Sequence, residues 1–377
     1  MALKKMFSKE PVNLGRQYEL DILKALPILC LPFIHCIIEC CTDEALCGGI
    51  PYLFDTIIGG PLSAPCYMFA MGVGMIYTRN KSAKYFAIRG VKLGITAIVL
   101  NICRFLIPFL IGYAVTGDKE KFIAPLVYKV FENDILAFAT ITFLVMALFI
   151  KLKIPDWLMF LIALGMSIAG TCLNGTDVHS VLGNIFLGYL IGTEDKAGMV
   201  CSYFVFLNWF IVPVSGYIFG KWLKRLDNKK LFYGIFSTIA IVAAVIYFIS
   251  GIKTGRGMFG EGQNCYYHIT TYDAVASIVS AFGLLGLYYF LLPIIPKKIL
   301  AFLTEVSRNI NSIYCIHWIF VIFTTNIIIY IIKGTQILPL WQTLLLSLGI
   351  CIVSVILAHY YQIIKSKVLK KNGKKKV

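Results

Sequence analysis

One apolar run near the N-terminus, Asp21 to Glu39 (DILKALPILCLPFIHCIIE), carries a histidine, a lysine and two carboxylates. At about 100° per residue, Lys24 and His35 differ by only about 20° of helical phase and about 16 Å of rise. Asp21 and Glu39 fall close to the same face. A neutral imidazole in apolar surroundings can take a proton from a hydroxyl or amine, and a carboxylate one turn away, such as Glu39, can orient it. Ionisable groups at membrane depth are costly and face a bundle interior or a wet cavity, so this run reads as one wall of a polar site. The competing reading of His35 is a side chain that merely hydrogen-bonds a neighbouring helix. Its company on one face weighs toward chemistry. Pro27 and Pro32 each remove a backbone donor, so the spacing also predicts a kink.

A second group opens a later apolar run, SRNINSIYCIHW, residues 307–318. Asn311, Tyr314 and His317 recur every third residue and can share one side of a helix, either at a site or as polar glue between helices. A third group lies in the run 86–113. Asn101 and Arg104 sit well inside it, and an intramembrane arginine defaults to a functional hypothesis. Arg89 and Lys92 sit at its inner end, where cations suit a phosphate-bearing ligand from the cytosol or simply fix topology. Asp134, at the start of the next run, is placed to pair with Arg104 or to cap its own helix.

The elements that must hold these groups follow from composition. The 377 residues are 59% hydrophobic and 14% charged, with mean hydropathy +0.80, whereas soluble domains are about half apolar and a quarter charged. The expectation is an all-α polytopic membrane protein. A net charge of +16 could suggest nucleic acid. The lysines, however, stand between apolar runs and at the two ends, as cytoplasmic anchoring requires, so no nucleic-acid partner is expected.

Runs of bilayer length occur at 18–41, 62–78, 86–113, 134–151, 154–173, 199–220, 231–250, 272–293, 308–332 and 338–364. The run 179–192 is short. If it crossed, the basic loop Lys221, Lys224, Arg225, Lys229, Lys230 and the lysine-rich tail 365–377 would face outward. The reading is therefore a bundle of about ten transmembrane helices plus a short re-entrant or interfacial segment. It forms one integral membrane domain, 1–377, with the basic N-terminus 1–17 and the tail both cytoplasmic. Eleven spans are the alternative. The first run is followed by no small-residue cleavage site and reads as an uncleaved span. The outer segment 251–271 holds Glu261, Tyr266, Tyr267 and His268, a composition suited to recognition or to an ordinary connection. Twelve cysteines show no metal-ligand spacing, and no metal is expected. Cys40, Cys41 and Cys47 leave a disulfide open.

The stretch Arg16 to Leu26 (RQYELDILKAL) followed by His35 resembles the opening of the acyltransferase-3 membrane family, whose first span carries a basic residue, ten residues, then histidine. Here those are Lys24 and His35. SRNINSIYCIHW resembles a late motif of the same superfamily. Residues 64–79 (APCYMFAMGVGMIYTR), 89–93 (RGVKL), 132–148 (ENDILAFATITFLVMAL) and 208–223 (NWFIVPVSGYIFGKWL) resemble the heparan-α-glucosaminide N-acetyltransferase-like branch. The resemblance covers about 16 to 320, in family order. It implies transfer of an acetyl or other short acyl group from cytosolic acetyl-CoA to a hydroxyl or amine of a glycan or other envelope acceptor at the opposite face. It further implies a bacterial cytoplasmic membrane setting with lipid contact. The oligomeric state is left open, a homodimer among the allowed states. On this reading His35 is the general base. Lys24 and Asp21 position its helix face or the donor, and Glu39 orients the ring. Arg104 and His317 stabilise the oxyanion, Arg89 and Lys92 hold CoA phosphates, and Asn101, Asn311 and Tyr314 complete the donor site. The lysosomal branch has a histidine in the loop after the first span, and DEALCGGIPYLFDT (43–56) has none. The rival from another class is a transporter or flippase, which kinked helices and midplane charges also suit.

Overall fold

In a computed structural model, which describes residues 6–195, 202–260 and 265–374, the chain is helical throughout. Among the described residues no strand forms, and only two isolated bridges occur, Phe7 with Leu226 and Thr176 with Thr193. A backbone in hydrocarbon must satisfy its own polar groups, which a helix does within each segment. Among the described residues seven helical segments are long and apolar enough to cross a membrane: Tyr18–Cys40, Ala83–Thr116, Lys119–Lys151 (interrupted before Ile135), Lys229–Thr254, Thr271–Ile294, Ile310–Lys333 and Leu340–Lys367. The remaining apolar runs form the shorter helices Ala64–Tyr77, Asp156–Cys172 and Ile211–Arg225. In the short run 179–192 the helix Val181–Leu187 has 7 residues. It rises only about 10 Å against a hydrocarbon core of about 30 Å. Helix Tyr18–Cys40 runs continuously through Pro27 and Pro32.

The chain divides into two compact units. The first comprises 1–23, 60–101 and 127–293, and the second 24–59, 102–126 and 294–377. In the first unit the core gathers Phe69, Phe143, Trp209, Phe210 and Leu223, all essentially inaccessible. Helices Ala64–Tyr77 and Ile211–Arg225 approach there backbone to backbone. A Cβ at Gly72 would collide with the Pro213 carbonyl, and one at Gly216 with the Phe69 carbonyl. Small residues at a membrane helix interface permit that closeness, which dispersion and not the hydrophobic effect must stabilise. Glu19, buried at the start of the first helix, is neutralised by Lys229 at 2.7 Å.

The second unit contains Lys24 to the end of that helix, the segment from Ile102, and the C-terminal helices Lys297–Arg308, Ile310–Ile322 and Leu340–Lys374. Phe105, Phe109, Phe122, Ile322 and Ile327 form one of its apolar clusters. Cys36, Val321 and Ile350 form another. Two of its helices change register into wide π turns, at Ile102–Leu106 and Phe323–Ile329. Such turns insert an extra residue into the ladder and are frequent at functional sites. Cys40, Cys41 and Cys47 carry free thiols.

Candidate active site

Within the second unit, His35 meets the late motif. Its ring lies 3.9 Å, centroid to centroid, from Trp318 and 5.5 Å from His317, nearly parallel to the latter at 20°. Tyr314 stands edge-on to His317 at 5.4 Å. The helix Ile310–Ile322 presents these three side chains because 314, 317 and 318 fall within one turn on one face. His317 is fully buried, and its Nδ1 lies 3.2 Å from the Ile313 carbonyl. That contact places a proton on Nδ1, because a carbonyl oxygen only accepts. His35 is half-buried, and neither of its ring nitrogens makes a hydrogen bond among the described residues.

Arg104 is wholly buried and sits in the π turn Ile102–Leu106. Its guanidinium carbon lies 4.7 Å from the centre of the Trp318 ring and 4.6 Å from that of Phe105. Trp318 therefore touches both the imidazole of His35 and a permanent cation. A planar guanidinium can stack on both rings at once, which a compact ammonium does less well. One turn beyond His35, Glu39 accepts a hydrogen bond from Asn326 Nδ2 at 2.9 Å. Asn326 belongs to the other π turn, Phe323–Ile329, and is buried.

The remaining candidates are distributed. In the second unit, Lys24 is half-buried. Asn311 is exposed and does not join the buried Tyr314 and His317 on its helix. In the first unit, Asp21 forms a two-point pair with Arg16, Nε to Oδ2 at 2.5 Å and Nη2 to Oδ1 at 3.1 Å. Asn101 Nδ2 donates to the Val130 and Glu132 carbonyls, 3.0 Å each, tying its helix to the connection before Ile135. Arg89 and Lys92 are exposed, with the Arg89 guanidinium 4.7 Å over the Phe143 ring. Asp134 is the N-cap of helix Ile135–Lys151 and accepts from the Ile135 amide at 2.6 Å.

In the segment 251–271, residues 252–256 are exposed, Tyr266 and Tyr267 are partly buried, His268 and Ile269 are buried, and Glu261 lies outside the described residues. His268 is fully buried, its Nε2 2.9 Å from Ser202 Oγ and 3.0 Å from the Ser202 carbonyl. Its Nδ1 faces Glu194 Oε1 at 3.8 Å. Asn174 donates to the His268 carbonyl at 2.8 Å, and Asn208 donates to Asn174 at 2.9 Å and to the Ile269 carbonyl at 2.7 Å. Burial pushes the imidazole down to about 4. Burial and the adjacent Asp195 push the Glu194 carboxyl up. These residues staple connections together.

Sequence reasoning did not single out Trp318 or Asn326 as site residues. Trp318 ended a quoted motif and, as the aromatic next to His317, carried a signal. Asn326 was a lone amide in the apolar run FTTNIII, the kind of intramembrane polar group that asks for a partner. The π turns left no sequence trace.

No curated protein and no solved structure matches. The family described as an acyltransferase domain matches residues 17–359, a stretch that includes every residue of the His35, Arg104 and His317 cluster. That match covers most of the sequence, and the chain belongs to the acyltransferase-3 family.

Proposed function

We propose that this membrane acyltransferase moves an acetyl or other short acyl group from cytosolic acyl-CoA to a hydroxyl or amine of a glycan or other envelope acceptor at the opposite face. The observation that carries this reading is His35 itself. Its ring is positioned by Trp318 and His317, yet its nitrogens are uncommitted among the described residues. A base must be held in place by something other than the lone pair it uses. Ring packing does that.

The residues fit an acyl-CoA donor. Arg89 and Lys92 are exposed cations three residues apart, suited to phosphates. The buried Trp318 Nε1–H makes no hydrogen bond among the described residues and is suited to a carbonyl oxygen. Acyl-CoA supplies a thioester carbonyl that a neutral nucleophile can attack. His35 takes the proton from the attacking hydroxyl or amine, and Glu39, fixed by Asn326, orients the helix turn that carries the ring. Negative charge developing on the carbonyl oxygen is met by Arg104. His317, whose Nδ1–H is directed to Ile313, donates from Nε2 only when protonated, so Arg104 takes the larger share. As the carbon–sulfur bond breaks, His35 returns the proton to the leaving sulfur. Lys24 and Asp21 set the entry of the first helix, and Tyr314, edge-on to His317, lies beside the thioester. No metal takes part in this scheme. The lysine distribution argues for both termini on the cytosolic side, in what the family membership suggests is a bacterial cytoplasmic membrane.

The test is incubation of purified protein with radiolabelled acetyl-CoA and a panel of envelope glycans. Label on a glycan supports the reading. Movement of an unmodified solute across vesicles without label transfer would replace it with transport.

A further inference from the structure

The first unit contains a cleft of 1710 Å³ that the proposed chemistry does not use. Small-ligand pockets run to about 300–1,000 Å³, so this one has room for a long-chain molecule. Its walls are apolar and include Phe69, Phe160, Phe219, Phe232 and Phe282. Several of those rings are in mutual contact, Phe219 with Phe282 at 5.3 Å and Phe232 with Phe282 at 5.9 Å. Phe7 adds a further edge against Phe232 at 5.7 Å. The result is a continuous aromatic floor.

Charge is confined to one end. Lys9, Arg225 and Asp156 line the cleft there. Asp156 is paired with Lys221 at 2.5 Å. These three cations and one anion leave a local excess of two positive charges. Arg225 directs Nε and Nη2 to the carbonyls of Ser8 and Lys9, at 3.3 and 2.8 Å. That anchors the segment bearing Lys9, while the Lys9 side chain stays exposed. Trp157, 65% exposed, and Trp222, 56% exposed, flank the same end. Exposed indoles of a membrane protein gather at the headgroup level. The cleft therefore runs from the headgroup layer toward the hydrocarbon, basic where phosphates lie and apolar where acyl chains lie.

We infer that this cleft binds an anionic phospholipid, its phosphate held between Lys9 and Arg225 and one acyl chain laid along the phenylalanine floor. A coenzyme moiety fits it poorly, because the amides of a pantetheine arm would find few polar partners along those walls. The bound lipid would brace the anchored N-terminal segment against helix Ile211–Arg225. That segment is already held by the Ser8 and Val12 amides on the Arg225 and Lys224 carbonyls, 2.7 Å each, so a change at the Lys9 side chain leaves the fold in place.

The experiment is native mass spectrometry of the full-length, delipidated protein incubated with equal amounts of phosphatidylglycerol and phosphatidylcholine of matched chains. A charge-assisted contact stronger by about 1.5 kcal/mol corresponds to about tenfold. The expected result is about a tenfold preference for one phosphatidylglycerol, lost in Lys9→Gln. Filling the floor with Ile278→Trp should remove the bound lipid altogether. Equal retention of both lipids, or a preference unchanged in Lys9→Gln, overturns the proposal. So does displacement of the lipid by a long-chain acyl-CoA, which would give the cleft to the donor. The readout is binding and stands apart from acyl transfer.

Discussion

His268 and His35 are both histidines in apolar surroundings, held in opposite ways. His268, in the first unit, has no accessible surface, and its Nε2 is engaged by the hydroxyl and carbonyl of Ser202. His35, in the second, is fixed by the faces of Trp318 and His317 and keeps both nitrogens out of hydrogen bonds among the described residues. Hydrogen bonding through the nitrogens spends the atoms that acid–base chemistry needs, and ring packing does not. On that criterion the proposed base is His35, and His268 is assigned a structural role that the variants below test.

The largest effect should separate the two directly. His35→Ala should lower turnover by about 10²–10⁴-fold, the range for a positioned base, with the melting temperature little changed. His268→Ala should do the reverse, costing stability while the folded fraction retains its turnover at neutral pH. If both variants lose turnover in proportion to folded protein, the distinction fails.

Next in size is the cation beside Trp318. Arg104→Gln should reduce turnover by about 10²–10³-fold with the apparent donor affinity nearly kept, because oxyanion stabilisation acts in the transition state. A melting curve on the same sample separates this from misfolding of a buried site. Arg89→Ala should act in the complementary way. Donor binding should weaken by about ten- to a hundredfold, from a charge-assisted contact of about 1.5–3 kcal/mol, while turnover at saturation stays close to normal. Unchanged acetyl-CoA binding by calorimetry would return Arg89 to topology alone.

A further effect, on stability and not on turnover, is one of pH on the histidine assigned a structural role. Its imidazole is held down at about 4 in the folded chain, against about 6.5 unfolded. The unfolded state therefore binds the proton first. The contribution is intact above about pH 6.5 and is lost as pH falls toward 4, by about 3 kcal/mol at most. Glu194, pushed up by burial, works against part of that loss. Protection factors, corrected for the intrinsic exchange rate at each pH, should fall around Ser202, Asn208 and Ile269 over that interval. Protection factors flat from pH 7 to 4 would contradict the assignment.

How far the site could be read from sequence follows from the same contrast. The apolar runs announced their helices because hydropathy is a property of the segment itself, and His35 stood out because a charged face in such a run is costly. Trp318 and Asn326 needed the fold. The Glu39–Asn326 contact joins residues 287 apart, and its geometry depends on a π turn that no 3.6-residue periodicity reveals. His268 sat in a glycine-rich stretch that looked solvated. Its burial comes from Asn174, Ser202 and Asn208, contributed by segments 60 or more residues earlier. The role of Asn101 on the Val130 and Glu132 carbonyls was hidden for the same reason.

The most direct test of the central claim uses His35→Gln, which fills similar space but cannot take the proton. Purified protein in nanodiscs would be titrated with acetyl-CoA and assayed for acyl transfer on the same preparation. The account predicts donor affinity within about threefold of the parent and turnover lower by at least about 10²-fold. Turnover close to the parent value, with affinity preserved, would contradict it and leave His35 a packing residue beside Trp318.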